Sequence, residues 1–166
     1  MMKLNRKPMS VAVARQRVAF LCAGSEQAEA DILKKLDSWG IASCDAQVIV
    51  QWLKQENYID ENRYARAYCH DKFKFNAWGR IKIAHMLHLK GVSHEATSEA
   101  LLAIDEQEYV ATLEQLLQAK WRNVQGREWQ AAKAALLRFA TGRGFEAHVV
   151  FPVVDKVMKQ SGVEQE

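Results

Sequence analysis

The sequence predicts an all-α protein of three tandem three-helix repeats forming an elongated, curved array. Two observations carry this. Three amphipathic stretches end in the same signature, Trp39-Gly40-Ile41, Lys90-Gly91-Val92 and Arg143-Gly144-Phe145, whose glycines are 51 and 53 residues apart. The composition is that of a helical chain, with two prolines and eight glycines among 166 residues that are 49% apolar. A spacing this regular marks copies of one supersecondary unit. Each copy has too little core to stand alone, so neighbours pack in series.

Residues 1–9 read as a flexible basic leader, and 10–57 as the first repeat. A short helix from about Ser10 to Ala23 is ended by Gly24. From Glu26 to Ser38, Ala28, Ile32, Leu33, Leu36 and Trp39 share one face, with Lys34, Lys35 and Asp37 outside it. Gly40 supplies the left-handed backbone that ends this helix, and Ser43 caps the next. That helix, about 43–56, presents Val48, Ile49, Trp52 and Leu53.

The second repeat, 58–104, opens with Asp60 as N-cap. Tyr64, Tyr68 and Phe75 form its apolar stripe, while Arg63, Arg66, His70 and Lys74 form a second, polar stripe. After a break near Asn76, residues 79–90 turn Ile83, Met86 and Leu87 inward. Gly91 closes that helix, and Ser93 caps one ending near Ile104. The third repeat, 105–159, starts with a capping box of Asp105 and Glu108. Its apolar positions are Tyr109, Leu113, Leu116 and Leu117. A helix over about 126–141 carries Trp129, Ala132, Leu136 and Leu137 and ends at Gly142 and Gly144. A last helix, about 146–158, tolerates Pro152 only near its first turns. Residues 160–166 read as a flexible tail.

The formal charge of +3 is mild, and its distribution says more. Residues 1–24 hold five basic and no acidic side chains, residues 60–92 seven basic against three acidic, and residues 93–120 one basic against six acidic. Such alternation suits directional docking on charged partners, and a solvated helical surface produces the same blocks. Cys22, Cys44 and Cys69 are odd in number and show no paired spacing, which excludes a disulfide framework and fits a reducing cytoplasm. Arg15 and Arg17 interrupt the apolar run before Phe20, leaving Val18 to Ala23 too short for a signal-peptide core. No stretch approaches the roughly 20 apolar residues of a membrane span. The expectation is a monomeric cytoplasmic chain without cofactor or membrane partner.

No copy of the repeat carries catalytic chemistry, which favours a binding protein. His85 and His88 have a spacing that can hold a metal, but they lie away from Ile83 and Leu87 with no third ligand beside them. Cys69 and His70 are adjacent in sequence and so do not face each other on a helix. Trp39 and Trp52 sit on apolar faces, whereas Trp78, at a turn beside Arg80, is the tryptophan best placed to stack on a base. Two helices about a glycine turn suggest a helix-turn-helix reader, but base-reading side chains are few. Gly142-Arg143-Gly144 lacks the Lys-Ser/Thr and the preceding strand of a phosphate loop, so it reads as a helix cap. The candidate contact face is basic: Arg63, Arg66, Lys72, Lys74, Arg80, Lys82 and Lys90, suited to phosphates or to an acidic protein groove.

The segment 58–92 resembles the central repeat of the RecX family, regulators of the RecA recombinase. The resemblance is carried by Asp60, Arg63, Tyr64, Ala65, Gly79, Ile83, Leu87, Lys90, Gly91 and Val92. It extends over roughly 25–158 through Leu36 and Gly40 before them and Arg143, Gly144 and Phe145 after them. Asn62 and the pair Ala77-Trp78 depart from the family's pattern. The resemblance implies a non-enzymatic protein that binds RecA and its DNA filament and inhibits filament extension, ATPase and strand exchange, with weak direct DNA contact. Two other classes stay open: a nucleic-acid-binding helical module that acts without RecA, and a scaffold for another protein.

Overall fold

The structure, a computed structural model, describes residues 8–163. Among the described residues there are nine helices and no strand: α1 (Val11–Gly24), α2 (Glu29–Ser38), α3 (Ser43–Gln55), α4 (Glu61–Lys74), α5 (Arg80–Leu89), α6 (His94–Leu102), α7 (Glu106–Val124), α8 (Trp129–Gly142) and α9 (Ala147–Val163). Residues 1–7 of the expected leader and 164–166 of the expected tail lie outside the described residues. Residues 160–163, expected in that tail, continue α9.

The repeat signature has one structural meaning in all three places. The second helix of each triplet ends in a Schellman turn, with Gly40, Gly91 and Gly144 at φ of 79°, 75° and 92°. In each turn the residue after the glycine donates its amide to the carbonyl five residues back: Ile41 to Leu36 (3.1 Å), Val92 to Leu87 (3.1 Å) and Phe145 to Ala140 (3.2 Å). The glycine amides donate to Asp37 (2.9 Å), His88 (2.9 Å) and Thr141 (3.0 Å). Ile41, Val92 and Phe145 are then buried, so the turn both satisfies helix-end carbonyls and delivers an apolar side chain.

The chain forms two compact units. One comprises the residues up to Ala67 together with Leu87–Thr97, and the other Tyr68–Met86 together with Ser98 onward. The middle helices, α4 to α6, are therefore divided between them.

In the first unit, α3 packs on both α1 and α2. Ala14, Val18 and Cys22 of α1 meet Ile32 and Leu36 of α2 and Ala46, Ile49, Val50 and Leu53 of α3, with Ile41 and Ile59 closing the cluster. Ser10 caps α1 by accepting the Val13 amide at 3.3 Å. Asp60 caps α4 by accepting the Arg63 amide at 2.8 Å, as its position foretold. Ser93 caps α6 through the Ala96 amide, and Glu61 in turn accepts from the Ser93 amide (2.6 Å) and hydroxyl (3.0 Å).

In the second unit α7, α8 and α9 pack mutually. Tyr109, Leu113 and Leu117 of α7, Ala132, Leu136 and Ala140 of α8 and Val149, Val150, Val153, Val154 and Val157 of α9 are fully or nearly fully buried. Six valines give α9 poor intrinsic propensity, and burial of Val149, Val150, Val153, Val154 and Val157 overrides it. Pro152 sits in the second turn of α9, where it removes one helical hydrogen bond, and it is exposed, as is His148 four residues earlier. Asp105 caps α7 through the Glu108 amide (2.9 Å). The Glu108 carboxylate completes no return bond of a capping box; it pairs with Lys74.

Several expected faces shift. Phe75 is 78% exposed, and the buried positions of α4 are Tyr64, Ala65, Cys69 and Phe73. Phe75 lies just past the end of α4, edge-on to His70 at 6.3 Å, whereas Phe73 stacks on Tyr109 with centroids 5.7 Å apart. Val48 is also exposed, one residue off the Ile49–Leu53 stripe of α3. Trp129 is half exposed in the first turn of α8, edge-on to Trp121. α2 begins at Glu29 and not at Glu26, since Ala28 before it has the extended backbone of an N-cap, φ −77° and ψ 140°.

Candidate binding surface

Most of the basic side chains singled out by the sequence hold the fold together. In the first unit, Arg63 donates from Nε to Glu26 Oε1 (2.9 Å) and from Nη2 to the Asn57 carbonyl (3.0 Å). Its bond to Glu26 raises its pKa further. Asn57 needs that support, since it sits at φ 58° where the chain turns from α3 towards α4. Lys90 donates to both carboxylate oxygens of Asp31 at 3.0 Å. Arg66 is exposed on α4. A groove of about 610 Å3 in this unit is lined by charges already matched, Lys54 with Glu29 at 2.6 Å and Lys90 with Asp31 among them.

In the second unit, Lys74 pairs with Glu108. Arg80 is the most committed of all. Its guanidinium lies 3.9 Å from the Tyr109 ring centroid, 2.5 Å from Glu106 and 3.5 Å from Glu146. Burial works to lower its pKa, and the bond and charge of Glu106 outweigh that, leaving a net rise. The Arg80 amide donates to the Tyr109 hydroxyl (3.0 Å), which donates to Glu146 (2.9 Å). Burial pushes the Tyr109 phenol far above its ordinary range, so it stays a neutral donor.

Two of the seven remain. Lys72 and Lys82 converge on Trp78, with Nζ atoms 4.9 and 4.3 Å from its ring centroid, and Lys72 also approaches Tyr68 at 5.4 Å. Among the described residues neither ammonium has a carboxylate at ion-pairing distance. Two like charges thus stand over one half-buried indole, a concentration of positive charge that no carboxylate of the described residues offsets.

The backbone holds Trp78 in place. The turn before it carries Ala77 at φ 51°, a left-handed conformation that costs a residue with a Cβ about 1–2 kcal/mol. Arg143 clamps this turn, donating from Nε to the Ala77 carbonyl (3.2 Å) and from Nη2 to the Asn76 carbonyl. The Trp78 amide donates to Lys72 (3.1 Å), and the Gly79 amide to Arg143 (2.8 Å). Sequence reasoning named Lys72, Trp78 and Lys82 separately. It missed Arg143 as the clamp, for which the only signal was its place in the repeat signature.

Cys69 is buried, and burial pushes its thiol up to about 11, so it is not a thiolate nucleophile near neutrality. His70 is exposed and turns to Asp71 at 3.2 Å. His85 and His88 are exposed. Among the described residues no three His, Cys, Asp or Glu side chains gather where a metal ion would sit, and no helix is long and apolar enough to cross a membrane.

Comparison with known proteins bears on the segment that carries this cluster. Residues 60–101 match the family model for the second three-helix domain of RecX. The regulatory protein RecX of Clostridium beijerinckii is 27% identical over 126 residues, 75% of this chain and 57% of that protein. RecX of Clostridium botulinum strain Alaska E43 is 31% identical over 111 residues, 66% of this chain and 51% of that protein. The chain thus spans about half the length of the curated relatives it matches. Among solved structures, a regulatory protein RecX superposes with a TM-score of 0.80 at 21% identity, over 87% of this chain and 71% of that one. RecX from Lactobacillus salivarius does so with a TM-score of 0.80 at 14% identity, over 89% of this chain and 96% of that one. At these identities the structural likeness speaks for the fold.

Proposed function

The chain belongs to the RecX family of regulatory proteins, and from that premise we propose that it is a non-catalytic regulator of the RecA recombinase. In this reading it binds RecA and the RecA filament on DNA and restrains filament extension, ATP hydrolysis and strand exchange. The observation that carries the reading is the position of the Lys72–Trp78–Lys82 cluster inside the segment 60–101 that matches the RecX domain model. Two ammonium groups without carboxylates offer binding to phosphates or to acidic side chains of a filament, and an adjacent indole offers stacking.

The mechanism we infer is steric and electrostatic. A helical-repeat protein that seats cations on a filament bridges neighbouring protomers, hinders the next monomer or the incoming duplex, and shifts the balance towards disassembly. Arg63, Lys74, Arg80 and Lys90, each paired within the chain, hold the scaffold in this account, and Lys72, Lys82 and Trp78 make the contact.

The same cluster favours a second reading, a nucleic-acid-binding module that needs no RecA, because stacking on bases is indifferent to the protein around them. Co-sedimentation with RecA filaments on single-stranded DNA, beside binding to bare single strands over a salt series, separates the two. Capture by filaments well beyond that by bare DNA supports the regulator. Equal capture, with binding to bare strands that falls steeply with salt, supports the module.

A further inference from the structure

Helix α1 carries two apolar stripes where a surface helix ordinarily carries one. The inner stripe, Ala14, Val18 and Cys22, is buried in the core of the first unit. The second, Val13, Phe20 and Leu21 with Arg17 among them, recurs at i, i+4, i+7 and i+8 and is left open. Phe20 is 81% exposed and Val13 45%. These residues line a groove of about 490 Å3 whose other wall is Lys35 and Trp39, at the end of α2. The Arg17 guanidinium stands 5.9 Å from the Trp39 ring centroid, so the apolar floor and the charged rim meet there.

Scattered exposed apolar side chains mean little, but a continuous groove rimmed by one sign of charge marks an interaction site. Here the rim holds two cations, Arg17 and Lys35, and no carboxylate lines the groove. The chain has no acidic residue before Glu26.

We propose that the groove between α1 and α2 docks an amphipathic helical segment of another protein, its apolar anchors on Phe20 and Trp39 and its carboxylates facing Arg17 and Lys35. Helix-in-groove recognition of this kind needs an apolar strip about two turns long, which Val13 to Leu21 supplies. Charge selects the occupant. A second copy of this face would set Arg17 and Lys35 against like charges, and the leader, with Lys3, Arg6 and Lys7, has the same sign. The inference stands independently of any action on RecA.

The test uses the full chain and three fluorescein-labelled helical peptides read by anisotropy. One is acidic with Leu and Phe anchors, the second exchanges each Glu for Lys, and the third keeps the acids but replaces the anchors by Ser. The acidic anchored peptide is expected to bind saturably and the other two not. Phe20→Ala and Arg17→Glu, both at exposed positions, are expected to weaken that binding about tenfold or more with unchanged circular dichroism. Acidic and basic peptides binding alike, no binding by any of the three, or indifference to Phe20→Ala would each overturn the proposal. So would a wild-type dimer in sedimentation that Phe20→Ala dissociates, since the face would then belong to a second copy.

Discussion

Gly79 and Gly144 meet backbone to backbone: a Cβ on Gly79 would stand 2.3 Å from the carbonyl carbon of Gly144, and the Gly144 carbonyl accepts the Ile81 amide at 3.0 Å. The free amides at the start of α5 are thereby satisfied by the carbonyls that close α8, positive helix end on negative. Gly79→Ala pushes backbone against backbone, with no flexible side chain to yield. We expect it to cost about 3 kcal/mol in urea unfolding. Gly126→Ala, where nothing lies within 4 Å, is expected to change stability by less than about 0.5 kcal/mol.

Ala77 gives a prediction of opposite sign. At φ 51° it pays for its Cβ, so Ala77→Gly is expected to stabilise the chain by roughly 0.5 kcal/mol, where glycine elsewhere destabilises. Arg143→Ala removes the clamp on the Asn76 and Ala77 carbonyls and is expected to cost about 1–2 kcal/mol. Chemical denaturation of the two variants beside wild type reads both signs.

The division between scaffold cations and contact cations is also open to measurement. Arg80→Ala strips Glu106, Glu146 and the Tyr109 ring of their partner, and is expected to destabilise by about 2 kcal/mol. Lys72→Glu and Lys82→Glu relieve a like-charge convergence, so each is expected to stay within about 0.5 kcal/mol of wild type. Equal losses in all three variants would refute the division.

The thiols give a chemical and a pH test. Cys44 is exposed while Cys22 and Cys69 are buried, so Ellman's reagent is expected to titrate one thiol per native chain at once and three after unfolding. Burial lifts Cys69 from an ordinary value of 9.0 to about 11. The unfolded chain therefore releases this proton before the folded one, and the stability present below about pH 9 is lost as pH rises towards 11. Burial shifts Tyr109 in the same direction. Cys69→Ala is expected to make the alkaline decline shallower, measured as urea midpoints across that window.

Much of the fold was legible because it is written in local chemistry. The glycines at 40, 91 and 144 announce left-handed caps, Asp60, Ser93 and Asp105 announce helix starts, and each acts as its type dictates. What misled was the outer edge of each stripe and one cap: Ser43, expected to cap α3, is its first residue, and Ala42 stands at the N-cap with no side-chain bond. Periodicity alone cannot distinguish Phe73 from Phe75 near a helix end, and Tyr109 decides it by stacking on the former. The binding face was legible only as a list of cations. Which of them are taken depends on acids distant in sequence: Glu26 for Arg63, Asp31 for Lys90, Glu106 and Glu146 for Arg80. No spacing rule links those pairs, so the convergence of Lys72 and Lys82 on Trp78 emerges only once the chain is folded.

The most direct test of the account is the DNA-dependent ATPase of RecA titrated with wild-type protein and with the double variant Lys72→Glu, Lys82→Glu. The account predicts that wild type suppresses turnover at amounts below one copy per RecA, and that the double variant, folded as judged by circular dichroism, suppresses it far less. Failure of wild type to suppress would contradict the regulator reading. Equal suppression by both proteins would contradict the assignment of the Lys72–Trp78–Lys82 cluster as the contact.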